Sequence, residues 1–439
     1  MNMTKTMLAL FGAAALATGA FAEGGPSIAL NRVQQRYPWN GLVDIDYTVA
    51  GVDNPDDYYV QFSVITNGVK AFVASEFLSS VPLLNVTNGS YRVTWDSNAD
   101  QKYFFARNAT VTAELVLSPG DKFSSPYPQY FVIDISGGTN VAEYAVTTNI
   151  LCTGEANALY NADEYKTNNI VLRRVRAPQV FVMGAPDYER AACDNPAWCG
   201  IETQHRVTLT EDFIISMFPI TQAQWEKVMG SNPSKFQTDI DVVGAAEVYA
   251  RPVDSVGYRQ TAGRDYPHLS PKATSFIGVL RSKTKGVGVL DLPTESQWEC
   301  AARAGTTETT YFGDKVWEDI ELLNQYCWYS ENSSNALTGV KCTHGVGQKL
   351  PNPWGLYDTI GNVWECCLDD MLNGASDDWG SDPQVNPLKN EQKRTANPNK
   401  GGSYNMTGKF QRAAVRKLNK GPTSTPESDR GFRLAGTLR

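Results

Sequence analysis

The chain changes character about a third of the way along its length. Residues 23 to about 150 contain short stretches in which apolar and polar residues alternate, such as LVDIDYTV, YYVQFSVIT and QYFVIDIS, separated by clusters of Asn, Gly, Asp and Pro. Alternation of this kind is typical of strands with one buried face. We therefore predict an all-β sandwich domain (immunoglobulin/fibronectin-like) of roughly seven strands over residues 23–150. Its expected role is that of a spacer or a partner-docking module.

The rest of the chain is organised differently. A linker is predicted over residues 151–175, where NADEYKTNNIVLRRV leads into APQVFVMGAP. Residues 176–439 then contain long irregular segments rich in Gly, Asn and Pro, and eight of the ten tryptophans lie after residue 190. Because large aromatic side chains dominate the energetics of protein cores, we predict a second, loop-rich domain over residues 176–439.

Two helices in this second domain are marked by capping boxes. In a capping box, a Thr side chain and a Gln three residues later each accept a hydrogen bond from the other residue's backbone N–H group. A glycine after the last turn then ends the helix in a left-handed conformation. The tryptophan after each box glutamine, Trp225 or Trp298, is expected to belong to the core. The boxes are Thr221/Gln224 and Thr294/Gln297, with stops at Gly230 and Gly305.

Composition excludes one class of function. The net charge is −8 and the isoelectric point is about 5.1. Nucleic-acid-binding proteins usually carry a basic patch or stripe, and no run of like charges is long enough to form one here. We therefore expect no nucleic-acid partner.

The N-terminus has the features of a secretory signal peptide. Lys5 gives a positive charge, Met7–Leu16 an apolar stretch, and Ala20-Phe21-Ala22 a small-residue cleavage site. The apolar stretch is too short for a membrane-spanning helix. Residues 1–22 are therefore predicted to be removed after Ala22, which leaves no transmembrane segment. The protein is then secreted, periplasmic or displayed at the cell surface.

Export would place the cysteines in a compartment that permits disulfides. Their spacing contains no CxxC pair, which argues against a structural zinc site. Proximity along the chain suggests local bridges from Cys193 to Cys199 and from Cys327 to Cys342. The full set is Cys152, Cys193, Cys199, Cys300, Cys327, Cys342, Cys366 and Cys367.

Several motifs in the second domain occur in the order of a known family. They are FVMGAP from Phe181, LPTESQWECAARAG from Leu292, NPWGLYDTIGNVWEC from Asn352, GGSY from Gly401 and GFRLA from Gly431. Together they resemble the formylglycine-generating enzyme (sulfatase-modifying factor) family over about residues 181–433. The resemblance implies an α+β fold, the C-type-lectin-like formylglycine-generating-enzyme fold with little regular secondary structure, preceded here by the all-β sandwich.

The family's active members bind copper(I) through two cysteines in the segment after GGSY and oxidise a substrate cysteine to formylglycine. In this chain Met406 stands at the first cysteine position, and Gln411 or a neighbour stands near the second. A thioether cannot become a thiolate, and an amide is a poor ligand for a soft metal. The resemblance therefore implies no copper, no catalytic residue and no oxidase activity.

Two features keep an alternative open. Cys366 and Cys367 form a vicinal pair that could bind copper, which would make the chain a formylglycine-generating oxidoreductase acting on a protein cysteine. The other interpretation is that they are structural. Ala302 and Leu434 replace the cysteines of a family disulfide, so a compensating bridge from Cys300 to Cys366 or Cys367 is conceivable.

The resemblance also bears on other metals. Some relatives hold iron with three histidines, but the three here, His205, His268 and His344, show no ligand spacing, so iron is not expected. The family's structural calcium site implies four ligands, the side chains of Asp358 and Glu365 and the carbonyls of Gly361 and Val363. The alternative is that Asp358 caps local backbone amides.

Our first hypothesis is a catalytically silent binding protein for a peptide, glycan or protein. Its groove would be lined by Ser403, Tyr404, Asn405 and Met406, with Arg412 and Arg416 beside it. These arginines would form a basic floor suited to an anionic ligand. Alternatively, they pair with nearby carboxylates. The remaining hypothesis is a structural component of the cell surface.

Overall fold

The chain forms two compact units, Met1–Pro126 and Tyr127–Arg439. The predicted signal peptide lies outside the residues that the computed structural model describes. The described residues are 26–35, 42–53, 58–66, 69–73, 87–96, 109–117, 128–151, 153–192, 194–195, 200–238, 243–263, 270–370, 378–389, 397–418 and 426–438.

The first unit contains two three-stranded antiparallel sheets. Their orders are β1–β2–β5 and β4–β3–β6. One hydrophobic cluster includes side chains of both sheets, and the rings of Tyr47 and Phe62 meet in it edge to face at 5.4 Å. The sandwich class of this unit stays a prediction. The strands are β1 Ser27–Gln35, β2 Leu42–Ala50, β3 Tyr58–Thr66, β4 Val69–Val73, β5 Gly89–Asp96 and β6 Ala109–Leu117.

The second unit is built on a six-stranded antiparallel sheet of order β13–β19–β12–β9–β7–β8. Alternate side chains of its central strands enter two different cores: Ile133 and Ile214 join one cluster, and Val132 and Ile215 the other. Both faces of the sheet are therefore covered. The strands are β7 Tyr130–Asp134, β8 Ala145–Asn149, β9 Asn169–Val175, β12 Phe213–Ser216, β13 Val289–Asp291 and β19 Ala435–Thr437.

This sheet corrects two predictions. The boundary expected near residue 150 lies instead at 126/127, because β7 pairs with β9 and β8 pairs with β7. The linker predicted over 151–175 is structured: it contains two helices and β9, a strand in the middle of the sheet. The alternation in QYFVIDIS correctly indicates a strand, but it does not reveal which unit the strand joins.

Two smaller sheets position the loops. One has the order β10–β11–β15 and the other β17–β16–β14–β18. The second brings the WEC motif next to the strand that leads into GGSY, since Glu365 of β14 pairs with Lys400 of β16. The strands are β10 Gln179–Met183, β11 His205–Leu209, β15 Gln384–Val385, β14 Trp364–Cys366, β16 Pro398–Lys400, β17 Lys417–Leu418 and β18 Arg430–Gly431.

The helices of the second unit are short, which together with the mostly antiparallel sheets fits the predicted α+β class. In the described part of the chain, no helix is both long and apolar enough to cross a membrane. The helices are α1 Thr153–Tyr160, α2 Glu164–Thr167, α3 Asp187–Ala192, α4 Gln222–Met229, α5 Ala245–Ala250, α6 Tyr258–Thr261, α7 Phe276–Lys283, α8 Glu295–Arg303 and α9 Ile320–Tyr326.

Both capping-box helices are confirmed. Thr221 caps α4, and Gly230 ends it in the left-handed region at φ 80°. Thr294 caps α8 through the predicted reciprocal bonds with Gln297. There the left-handed cap is Ala304, at φ 48°, one residue before the predicted glycine stop. Trp225 and Trp298 are buried, as expected.

Candidate functional site

The segment after GGSY is packed tightly against the protein. Gly401 and Gly402 have φ of 89° and 81°, a region that favours glycine. A Cβ atom on Gly401 would lie 2.7 Å from the carbonyl oxygen of Thr359, and one on Gly402 would lie 2.4 Å from Oε1 of Gln411. Both glycines are therefore required by conformation and by close approach.

Met406 and Gln411 hold the segment after GGSY in place. Met406 is half-buried against a cluster of Trp364, Phe410 and Val415. Gln411 is fully buried, and its Nε2 donates to the carbonyl oxygens of Ser403, Met406 and Thr407 at 3.1, 3.2 and 3.5 Å. These two side chains thus have packing and hydrogen-bonding roles.

The predicted groove residues do not line a common open surface. Ser403 and Tyr404 are buried, and the Ser403 hydroxyl donates to Asp429. Asn405 is exposed and Met406 is half-buried. The sequence predicts that these four residues lie on one accessible strand. In the structure, the tight turn after the two glycines directs the side chains of Ser403 and Tyr404 into the core.

The predicted basic floor is wrong. Arg412 is fully buried and pairs with Glu189 at 2.5 Å and with Glu202 at 2.9 Å. Arg416 is buried as well and makes a two-point ion pair with Glu295. The alternative that these arginines pair with carboxylates is therefore what the structure shows. Neither guanidinium presents its charge to an external anion.

These two ion pairs belong to a larger set of buried charges. Lys400 Nζ lies 2.9 Å from Glu299, and Arg303 lies 2.8 Å from the same carboxylate. Burial raises the pKa of Glu299, but Lys400 and Arg303 together outweigh burial and lower the pKa to about 2. Arg433 pairs with Glu365 at 2.7 Å. The sequence analysis missed these carboxylates, although the four-residue spacing of Glu299 and Arg303 on α8 is a recognisable signal.

The cysteines that the structure describes are thiols rather than disulfides. The predicted bridges from Cys327 to Cys342 and from Cys300 to Cys366 or Cys367 are therefore wrong, because the residues pack into different parts of the core. The remaining three lie outside the described residues. The five described thiols occupy five separate hydrophobic clusters: Cys300, Cys327, Cys342, Cys366 and Cys367 each belong to a different one.

Burial disfavours the ionisation of three of these thiols. Burial raises the pKa of Cys300, Cys327 and Cys367, because a thiolate is poorly solvated in an apolar core. In the turn after GGSY, Tyr404 shares a cluster with Cys342 and Phe236, and Cys342 is the one cysteine among the residues of that cluster.

The described histidines have structural surroundings. His344 stacks on Trp328 at 3.9 Å, and its Nε2 lies 2.9 Å from the carbonyl oxygen of Ser333. Burial lowers the pKa of His344. Nδ1 of His205 lies 3.0 Å from the carbonyl oxygen of Thr203, and His268 lies outside the described residues. Within the described ranges, no three His, Cys, Asp or Glu side chains form a group that could hold a metal.

The residues implied for calcium fit an ion only in part. Asp358 is buried and makes no ion pair with any described residue; its oxygens accept from the amide of Gly347 and the side chain of Asn362. Burial raises its pKa, so a cation would stabilise the ionised form. Glu365 fits less well, because both its oxygens accept from Arg433 and one also accepts from Trp298. Gly361 and Val363 lie between them, both buried.

The mostly antiparallel sheets, the short capped helices and the GGSY turn together define a loop-rich α+β domain. The model of the sulfatase-modifying factor enzyme 1-like domain matches residues 173–438, more than half of the chain. The chain therefore belongs to this family, as its motifs predicted.

The chain is similar to proteins with different roles. It is 27% identical to the chaperone protein LppX of Paenibacillus barcinonensis over 209 residues, which cover 41% of this chain and 66% of that protein. It is 30% identical to the formylglycine-generating enzyme of Thermomonospora curvata over 162 residues, 33% of this chain and 48% of the enzyme. The alignment thus spans just under two thirds of the chaperone and about half of the enzyme.

The chain is also similar to a protein described as inactive and to a solved bacterial structure. The chain is 25% identical to the inactive C-alpha-formylglycine-generating enzyme 2 of Bos taurus over 205 residues, 39% of this chain and 64% of that protein. Among solved structures, Treponema denticola variable protein 1 superposes with a TM-score of 0.45 and 25% identity, covering 62% of this chain and 96% of that one.

Proposed function

We propose that this protein is an exported, non-oxidising member of its family that binds a peptide, glycan or protein partner. One observation carries the proposal: the five described thiols lie in five separate hydrophobic clusters. Copper(I) is selected by soft sulfur ligands such as thiolates, and the family's centre uses a pair of them. Among the described residues, the cluster that contains Tyr404 includes one thiol, that of Cys342, and so does not provide that pair.

The occupants of the two cysteine positions support the same proposal. The carboxamide of Gln411 is committed to backbone carbonyls, and Met406 packs into an apolar cluster. The displaced-cysteine alternative is weakened because Cys366 and Cys367, although adjacent in sequence, pack into different clusters. The names of two relatives, an inactive enzyme and a chaperone, are compatible with a protein partner.

A copper(I) titration with a competing chromophoric chelator tests this proposal. We expect no stoichiometric complex with the wild-type protein. The matched control is the double variant Met406→Cys/Gln411→Cys, which restores two thiols at the family's positions and should gain copper binding if it folds. Tight one-to-one binding by the wild-type protein that is abolished by Cys366→Ser or Cys367→Ser would refute the proposal.

We also propose a structural calcium ion held by Asp358, Glu365 and the carbonyls of Gly361 and Val363. Support comes from Asp358, a buried carboxylate that pairs with no cation among the described residues. Calcium prefers hard oxygen ligands and would tie the 358–365 loop down. The expected result is a higher melting temperature in calcium than in EGTA, with the difference lost in Asp358→Asn. Equal melting temperatures in both buffers would contradict the site.

The first unit, in our proposal, is a sandwich that serves as a spacer or partner-docking module. Its two three-stranded sheets share one cluster of buried side chains, which supports this assignment. Limited proteolysis of the full chain should leave two protease-resistant fragments, one from each unit. Rapid degradation of the first unit while the second survives would count against a stable sandwich.

A further inference from the structure

Strand β10 forms one edge of its sheet. It pairs with β11 in an antiparallel register that runs from Gln179 opposite Leu209 to Met183 opposite His205. An antiparallel neighbour takes up the backbone groups on one side of a strand only. Apart from the ladder with β11, no hydrogen bond joins a described residue to the backbone of Val180 or Val182. The outer edge of β10 therefore offers a row of backbone N–H and C=O groups.

The exposed face of this edge is aliphatic. Val180 and Val182 are 47% and 46% exposed, well above the level of core residues. Val180 is level with Thr208, and Thr208 is level with Val385, which is 65% exposed. The opposite face of the strand carries Met183, which is buried in the core. The neighbouring strand β11 carries polar side chains on this face, Thr208 and Arg206, so the aliphatic surface lies along β10 itself.

This edge lacks the usual protection. Soluble proteins normally guard exposed edges with charged residues, proline or a bulge, because such edges pair with other strands. The sequence QVFVM contains no charge and no proline, and its pairing with β11 is free of register shifts. By contrast, β8, an edge of the six-stranded sheet, presents the exposed polar residues Thr147 and Thr148.

We propose that β10 is the docking edge for an extended peptide segment of the partner, which adds to the sheet as a further strand. The inference rests on the proposed partner-binding function and assigns it a surface and a ligand chemistry. A row of alternating backbone donors and acceptors is matched by another extended polypeptide, whereas an aliphatic face offers a sugar neither aromatic stacking nor polar contacts. Cross-strand pairing with Val180 and Val182 calls for β-branched residues at alternate peptide positions.

The test uses the immobilised full-length protein and a phage-displayed library of random linear peptides. Enriched peptides should carry alternating β-branched residues and should slow hydrogen exchange of the amides in 179–183. Synthetic versions should bind the double variant Val180→Lys/Val182→Lys about tenfold more weakly or worse, because charge blocks edge pairing. The matched control is Leu337→Lys, which changes an exposed aliphatic residue elsewhere and should bind as the wild-type protein does.

Several outcomes would overturn the inference. These are no enrichment, equal binding to the double lysine variant, or protection of amides outside β10. A dimer in the absence of peptide that the lysine variant abolishes would assign the edge to a second copy and would also overturn it. If the lysine variant fails to fold, protection of the 179–183 amides by bound peptide in the wild-type protein still shows whether β10 is the docking edge. Copper binding would refute only the non-oxidising assignment, whereas unprotected β10 amides would refute only the docking edge.

Discussion

Gln411 is a buried side chain with a structural role in the turn after GGSY. Its amide nitrogen donates to three carbonyl oxygens of the turn that begins at Ser403, and its Oε1 lies against Gly402. A buried carbonyl that loses its donor costs about 1–3 kcal/mol, more than a typical hydrogen bond contributes. The Gln411 side chain therefore stabilises the turn that begins at Ser403.

We expect Gln411→Ala to lower the free energy of unfolding by about 2–4 kcal/mol, because it removes these bonds and leaves a cavity. Urea denaturation followed by tryptophan fluorescence measures the change. Asn405→Ala, at an exposed position of the same segment, should change stability by no more than about 0.5 kcal/mol. Equal effects of the two substitutions would contradict the structural role of Gln411.

Asp254 is a buried carboxylate whose ionisation should make the stability of the protein depend on pH. It is fully buried; Oδ1 accepts from the amide of Lys235 and the hydroxyl of Ser255, while Oδ2 has no described partner. Burial raises its pKa from 3.8 to about 6. The folded protein thus holds this proton more tightly than the unfolded chain, and the contribution to stability, complete below about pH 4, is lost as the pH rises through 6.

Asp254→Asn should remove this dependence. The difference in unfolding free energy, variant minus wild type, should therefore increase between pH 4 and 8 by roughly 2.4 kcal/mol, since a pKa unit corresponds to about 1.4 kcal/mol. Denaturation curves at several pH values measure it. Asp382→Asn at the exposed surface controls for the loss of one negative charge. A difference that stays constant with pH would refute the raised pKa.

At the scale of elements, helix α8 is joined by polar contacts to the four-stranded sheet that contains β14 and β16. Thr294 caps its first turn, Trp298 donates from its middle to Glu365 at 2.6 Å, and Glu299 pairs with Lys400 beyond the helix. The capping box fixes where the helix begins. The position of its tryptophan and its glutamate follows from that start.

Thr294→Ala should reduce the free energy of unfolding by about 1 kcal/mol, the typical effect of losing an N-cap side chain. Thr307→Ala, at an exposed position just beyond the helix, provides the matched control and should have little effect. Thermal unfolding followed by circular dichroism compares the two. Equal melting temperatures for both variants and the wild-type protein would show that the Thr294 cap does not contribute to stability.

The same helix shows what the sequence could and could not predict. Its capping box was predictable because the interaction is local and spans four residues. The burial of Arg412 and Arg416 was not, because their partners Glu202 and Glu295 lie more than a hundred residues earlier in the chain. The boundary at residue 150 was missed for a similar reason, since the alternation of β7 and β8 is the same whichever unit their partner strands belong to.

At the scale of the second unit, the closing segment is a cationic stretch enclosed by earlier carboxylates. Lys400, Arg412, Arg416 and Arg433 each pair with a glutamate that precedes them in sequence. Buried charges are costly unless they are paired. These four cations therefore stabilise the fold only when their glutamate partners are packed beside them.

Arg433→Met should lower the free energy of unfolding by about 3–5 kcal/mol, because it leaves Glu365 buried without its cation. The double variant Glu365→Gln/Arg433→Met should recover part of this loss, since no uncompensated charge remains. Chemical denaturation of the two single variants and the double variant gives the coupling energy. Strictly additive effects would show that the pair does not stabilise the fold as a unit.

Whether the protein oxidises a substrate cysteine is measured by incubating the purified full-length protein with copper(I), oxygen and a peptide that contains the sulfatase-type cysteine motif. Mass spectrometry and an aldehyde-reactive probe then report on the cysteine. We predict that the peptide is recovered unchanged, because the chain lacks a pair of thiols that could hold the metal in its closing segment. Formylglycine in the peptide, formed catalytically and lost when Cys366 or Cys367 is replaced by serine, would contradict the account.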